Sequence, residues 1–149
     1  MTDAARALLE SLIDYAGLFP PAELPMREAV AGYAAGVAFK ATAGLHHPLR
    51  SAHPAGAGGR GSIVVMHGFL NPFLAAALAH ARGAREDVLV PVLAGESAGP
   101  FVFDGGGACV AGRRLAREEI ASTRRSFALS FGSCSFDDPV SELKARGII

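Results

Sequence analysis

Residues 35–48 read AGVAFKATAGLHHP, and this stretch decides how the rest of the chain is interpreted. The apolar residues between Gly36 and Gly44 predict a short buried strand, which carries Lys40 near its end. A long loop follows, and its glycine-rich part, residues 52–61, is expected to be flexible. The pattern therefore predicts one buried strand that leads into a loop with polar side chains.

The composition of the chain is that of one globular domain. It has 149 residues, half of them hydrophobic, and a formal net charge of +0. This balance argues against intrinsic disorder and against electrostatic capture of nucleic acid. The sequence starts without a signal-peptide pattern, and its longest apolar run is far shorter than the roughly 20 residues that span a bilayer. We expect a soluble, cytoplasmic bacterial protein without nucleic-acid or membrane partners.

Helices are predicted on both sides of the strand. Helical spacing of apolar residues and helix-boundary signals occur in residues 3–15, 25–33, 71–82, 117–131 and 137–147. Residues 87–95 fit either a strand or a helix, whereas residues 101–112, FVFDGGGACVAG, predict a β-hairpin. The predicted fold class is α+β, mostly helical with a short strand and one hairpin.

The stretch GESAG at residues 95–99 matches the G-x-S-x-G turn that exposes the nucleophilic serine of α/β-hydrolases. That turn requires a helix directly after the serine and a catalytic histidine later in the chain. Residues 100–107 instead indicate strand and turn, and all five histidines precede Ser97. We therefore interpret GESAG as a loop and exclude a serine hydrolase built on Ser97.

The richest set of reactive side chains lies in residues 39–50. Burial can lower the pKa of a lysine such as Lys40 enough for Schiff-base or proton-transfer chemistry, and a charged lysine can hold an anion. His46 and His47 can exchange protons near neutral pH, and the Arg50 guanidinium can fork onto a carboxylate or phosphate. We take Lys40, His46 and His47 as candidate catalytic residues and Arg50 as a candidate substrate ligand.

The stretch MHGFLN adds His67 and Asn71 as candidate substrate ligands, four residues apart. Structural roles compete with these assignments, because Asn71 is also a good helix N-cap and histidines in loops are often turn residues. A zinc site built from His46, His47, His53 and His67 would match no known ligand spacing. We therefore expect neither a metal nor a cofactor.

Three segments resemble a family of uncharacterised bacterial proteins that are roughly twice as long. They are LIDYAGLFPPAELPMREAV at 12–30, FKATAGLHHPLR at 39–50 together with MHGFLN at 66–71, and RRSFALSFGSCSFDDPVSELKARG at 124–147. The family has no established activity, so the resemblance implies no catalytic residues. It does imply that recurrent segments contain seven of the residues with reactive or polar side chains: Asp14, Tyr15, Lys40, His46, His47, His67 and Asn71.

The longer relatives carry a large α/β segment where this chain passes directly through residues 34–37. Their lysine-bearing strand and TAGLHHP loop are similar to late strands of an aldolase-like (β/α) barrel. A chain of 149 residues cannot close such a barrel, which rarely has fewer than 200 residues. The resemblance thus implies a single domain, 1–149, that is an incomplete barrel remnant with a deletion junction near 34–37.

Such a deletion would leave the strand at 37–41 without neighbours and the apolar helix at 71–82 uncovered. Exposed apolar surface would then favour self-association. Two hypotheses for function follow. Either the chain derives from an enzyme that acts on a small anionic or carbonyl substrate, or it is a shortened non-enzymatic fragment or interaction module.

Overall fold

The computed structural model describes residues 13–15, 32–36, 38–41, 45–54, 61–133, 135 and 137–149. Eight short strands lie in these ranges: β1 Ile13–Tyr15, β2 Phe39–Ala41, β3 Ser51–Pro54, β4 Ile63–Met66, β5 Phe101–Asp104, β6 Gly107–Val110, β7 Arg113–Ala116 and β8 Ala128–Ser133. Four longer helices accompany them: α1 Leu70–Arg82, α2 Glu86–Leu93, α3 Arg117–Ser126 and α4 Asp137–Ala145. The protein is therefore α+β, with more strand than the sequence predicted.

A three-stranded parallel sheet joins distant parts of the chain in the order β1-β8-β2. The prediction that the Lys40 strand lacks neighbours is wrong, because β8 pairs with it and satisfies its backbone groups on that side. The predicted helices over 3–15 and 117–131 are also wrong at 13–15 and 128–131, which form β1 and part of β8. Tertiary pairing overrides local helical spacing in both places.

Helix α1 is the centre of the core. The predicted helix over 71–82 is confirmed, and nine consecutive residues from Leu70 to Leu78 are buried. Helices α2 and α3 and strand β8 pack around it, so the prediction that this helix is left uncovered is wrong. Self-association therefore stays a prediction that gains no support from α1.

The predicted hairpin is confirmed as β5 and β6, and β7 extends it to an antiparallel sheet in the order β5-β6-β7. Gly107 has a φ of +152°, and a Cβ there would lie 2.0 Å from the Leu115 oxygen on the neighbouring strand. Only glycine fits this close approach. Asp104 and Arg114 form an ion pair, 2.5 Å between Oδ2 and Nη1, which joins β5 to β7 across the sheet.

A two-stranded antiparallel sheet joins part of the predicted loop to residues 63–66, which the sequence left open between a strand and a loop. Strand β3 pairs with β4, with His53 opposite Val64. Residues 52–54 of the predicted flexible segment thus belong to a strand, and residues 55–60 lie outside the described residues. Pairing with β4 gives the backbone of β3 the hydrogen-bond partners that a short isolated strand lacks.

Residues 86–93 form helix α2 despite Pro91, which resolves the ambiguity between strand and helix. The predicted C-terminal helix is confirmed as α4, with Asp137 and Asp138 in its first turn, where carboxylates favour the helix dipole. Gly147 follows at a φ of +66°.

The described residues form three small sheets and no closed barrel. Nothing in this arrangement supports a barrel remnant, and the proposed junction near residues 34–37 stays a prediction. Among the described helices, none combines the length and apolar character needed to cross a membrane.

Candidate functional site

The loop that carries His46 and His47 is held against the start of α1 by its backbone. The amide of Phe69 donates to the His47 carbonyl at 2.9 Å, and the amide of Leu70 donates to the Pro48 carbonyl at 3.0 Å. These bonds satisfy N–H groups that a helix leaves unpaired at its start. The HHPL and MHGF stretches therefore form one rigid unit.

Gly68 allows this close approach. A Cβ at this position would lie 2.2 Å from the Leu49 nitrogen and 2.3 Å from both the Leu49 Cα and the Pro48 carbonyl carbon. All three atoms belong to backbone, which cannot rotate away as a side chain can. Glycine is thus required where the two stretches meet.

Asn71 fixes the same unit from inside the helix. Its Oδ1 accepts a hydrogen bond from the Arg50 amide at 2.8 Å, and its Nδ2 donates to the carbonyls of Val92 and Gly95, each at 2.8 Å. The predicted N-cap role is wrong, because Phe69 is the N-cap and Asn71 lies inside α1. The Asn71 side chain is fully buried and its amide joins three segments. These contacts give it a scaffold role.

His46 meets Ser133, the last residue of the central strand β8. Nδ1 of His46 lies 3.0 Å from the Ser133 Oγ. This oxygen also accepts a hydrogen bond from the Ser135 amide at 3.3 Å. Ser133 is only 2% exposed, whereas His46 is half-buried. The pair lies at the carboxyl end of parallel strands, the edge where open α/β sheets bind ligands.

The surroundings of His46 favour its neutral form. Partial burial lowers the pKa of His46 below its ordinary 6.5, and the neighbouring His47 lowers it further. Asp138 and Glu142 act in the opposite direction but do not reverse the shift. A neutral imidazole at pH 7 is able to accept a proton.

His47 is held on two sides. Its Nδ1 lies 2.6 Å from Oε1 of Glu142 in α4, and its ring stacks on that of His53 with centroids 3.3 Å apart. The Ser51 hydroxyl in turn lies 2.6 Å from Nε2 of His53. Burial lowers the pKa of His53, as do His47 and Arg146, whereas Glu142 raises it. His47 thus links the loop, the β3–β4 hairpin and α4.

The remaining predicted site residues lie in different settings. The Arg50 guanidinium forms an ion pair with Glu96, whose side chain is 61% exposed. Lys40 is exposed on β2, while its neighbour Phe39 packs its ring against Phe73 in the core. His67 is buried, at 5% exposure. The structure therefore joins Arg50 and Asn71 through backbone and sets His46 beside His47, with ring centroids 6.4 Å apart.

Sequence reasoning missed Ser133 and Glu142 as partners of the two histidines. They lie 87 and 95 residues further along the chain, so no local spacing connects them to the loop. The GESAG prediction is confirmed, since residues 95–99 are irregular and β5 follows at Phe101. Within the described residues, no group of three or more His, Cys, Asp or Glu side chains is arranged to hold a metal ion.

Comparison of the chain with known protein families, curated proteins and solved structures finds no match.

Proposed function

We propose that the protein is an enzyme that moves a proton on a small anionic or carbonyl substrate, with His46 as the proton-carrying residue. The observation that carries this proposal is the 3.0 Å pairing of His46 Nδ1 with Ser133 Oγ at the carboxyl end of β8. A general base needs such a held orientation and a pKa near or below the working pH. His46 combines both.

His46 is favoured over His47 because the two rings are used differently. The His47 ring is bonded to Glu142 and covered on one face by His53, so its contacts serve to hold α4 and the hairpin. His46 has a small hydroxyl as its partner and is kept neutral by its surroundings. A neutral, partly exposed imidazole is the better proton acceptor.

Ser133 acts as a positioning residue in this proposal. One lone pair of its oxygen receives the Ser135 N–H, and the other accepts the N–H at Nδ1 of His46. That hydrogen bond fixes the ring plane and the tautomer, so Nε2 is the nitrogen that takes the proton. When His46 takes a proton from the substrate, the carboxylates of Asp138 and Glu142 stabilise the resulting charge.

Lys40 and Arg50 are the residues that we propose to hold the substrate. Lys40 is an exposed cation on the strand next to β8 and suits an anionic or carbonyl oxygen. Arg50 already binds a carboxylate, that of Glu96, whose exposed side chain a substrate carboxylate could replace. The buried Asn71 holds the loop through the Arg50 amide, and His67 is buried.

The proposal is tested by wash-in of solvent deuterium at the carbon next to a carbonyl group, followed by proton NMR. The probes are pyruvate, 2-oxobutyrate, acetoacetate and dihydroxyacetone. We expect the protein to accelerate exchange for at least one of them, and His46→Gln to slow that exchange by about 10²–10⁴-fold, the usual contribution of a general base. The control is His80→Gln, at an exposed histidine near the other end of α1.

Exchange at the buffer rate for every probe would favour the non-enzymatic interpretation. Exchange that His46→Gln leaves intact would exclude His46 as the base.

A further inference from the structure

An open groove of about 620 Å³ lies at the C-terminal end of α1, between the α1–α2 turn and strand β7. Arginine is its most frequent lining residue, and these arginines are Arg82, Arg85, Arg113 and Arg114. They are four of the twelve arginines of the chain. The groove is therefore a local concentration of guanidinium groups in a protein whose net charge is zero.

Two of the four guanidinium groups are held by carboxylates. Arg82 binds Glu119 through two nitrogens, with Nε to Oε1 at 2.8 Å and Nη2 to Oε2 at 3.0 Å. Arg114 binds both oxygens of Asp104. These ion pairs fix the sides of the groove, since a bidentate pair restricts the guanidinium plane.

The other two, Arg85 and Arg113, form no ion pair with any residue in the described part of the chain, and Nη1 of Arg113 donates only a long hydrogen bond, 3.5 Å, to the Ala111 carbonyl. Both side chains are exposed. The groove itself contains one carboxylate, that of Asp87. The lining thus holds two guanidinium groups outside ion pairs and one acid. A guanidinium fork matches the oxygens of a phosphate or carboxylate.

The floor of the groove is apolar. Ala84 and Val88 are half-buried and leave apolar surface for a ligand, whereas the lining residue Leu78 is fully buried. A volume of this size is in the range of small-molecule sites, which combine an apolar surface with a few polar groups. The floor suits the hydrocarbon body of a ligand, and the arginines suit its charged group.

The groove is separate from the histidine loop. That loop caps the start of α1, whereas the groove lies at its end, and 13 helical residues extend about 18 Å. The inference therefore does not depend on His46 or on the proposed reaction.

We propose that this groove binds a small organic anion, with a phosphate or carboxylate on Arg85 and Arg113 and an apolar body on the floor. A nucleic acid fits less well, because Asp104 and Glu119 flank the groove and the whole chain has no excess of positive charge.

Titration of the ¹⁵N-labelled protein with phenyl phosphate, followed by amide chemical shifts, tests the proposal. We expect shifts in residues 83–88 and 113–114 that saturate. The double variant Arg85→Gln/Arg113→Gln should bind at least about tenfold more weakly, since hydrogen bonds to charged groups contribute more than neutral ones. The matched control, Arg125→Gln/Lys144→Gln, removes two exposed positive charges outside the groove and should bind as the unchanged protein does.

Phenol and inorganic phosphate separate the two parts of the site, and both should bind at least about tenfold more weakly than phenyl phosphate. Phenol binding as tightly as phenyl phosphate would overturn the role of the arginines. Inorganic phosphate binding as tightly would overturn the role of the apolar floor. Equal weakening in both double variants, or no saturable shifts in the groove, would overturn the site itself.

Discussion

Replacing Gly68 with alanine is expected to reduce the free energy of unfolding by at least about 3 kcal/mol, the upper range for steric overpacking. The added Cβ would meet three backbone atoms of residues 48 and 49 at 2.2–2.3 Å. Relief requires separation of the histidine loop from the start of α1, which would break the hydrogen bonds from Phe69 and Leu70. Urea unfolding followed by circular dichroism measures the loss.

Gly99→Ala is the matched control for that substitution. A Cβ at Gly99 meets no atom within 4 Å, so its effect should stay within about 0.5 kcal/mol. Equal urea midpoints for Gly68→Ala and Gly99→Ala would show that the loop and helix do not approach as described.

Asn71→Ala should lower the free energy of unfolding by about 2–4 kcal/mol. The substitution leaves the Gly95 carbonyl and the Arg50 amide without their partner, and the Val92 carbonyl keeps only the 3.3 Å bond from the Gly95 amide. Each unsatisfied buried group costs about 1–3 kcal/mol. Water reaches some of these groups after the substitution, so the loss of stability should be smaller than the sum of the individual costs. Chemical denaturation of both proteins under the same conditions measures the difference.

Ser126→Ala serves as the control for Asn71→Ala. The Ser126 hydroxyl also donates to a backbone carbonyl, that of Ser122, at 2.9 Å, but it is exposed to solvent. Its removal should change stability by no more than about 0.5 kcal/mol. A similarly small effect at Asn71 would contradict its role in joining three segments.

The elements that the sequence predicted correctly have strong local signals. The apolar run with Pro72 near its start, the glycine turn of the β5–β6 hairpin and the acidic start of α4 each act within a few residues. Strand β8 has no such signal, because its register depends on β1 and β2, which are more than 80 residues away. A helix that continues through residues 127–131 is the natural local interpretation, and only the sheet corrects it.

The candidate site likewise has features that the local sequence predicts and features that depend on distant residues. His46 and His47 stand out as titratable residues in a glycine-bearing loop, so the sequence suffices to select them. It cannot distinguish their roles, since this depends on Ser133 and Glu142, which folding brings to them from the other end of the chain. At Asn71 the local sequence misleads. Its side chain suits an N-cap, but the residue lies inside the helix.

The segments that carry the family resemblance also meet in the fold. Residues 12–30 supply β1, residues 39–50 supply β2 and the histidine loop, and residues 124–147 supply β8. These three strands form one sheet, and the loop lies at its carboxyl end. Membership of the family stays a prediction, but the sheet gives a physical reason why these segments would recur together.

The titration of His46, followed by ring NMR signals in the protein and in Ser133→Ala, tests directly whether His46 is a neutral base oriented by Ser133. Burial and His47 place the pKa of His46 below 6.5 in the folded protein, so the ring should be neutral at pH 7. Because its pKa is lowered on folding, His46 contributes stability above pH 6.5 that is lost as the pH falls through its folded pKa. In Ser133→Ala the midpoint should fall further, since the hydroxyl oxygen no longer accepts the N–H at Nδ1, a hydrogen bond that is stronger when the ring is charged. A midpoint at or above 6.5 in the unchanged protein, or one that Ser133→Ala does not move, would contradict the role of His46 as a base oriented by Ser133.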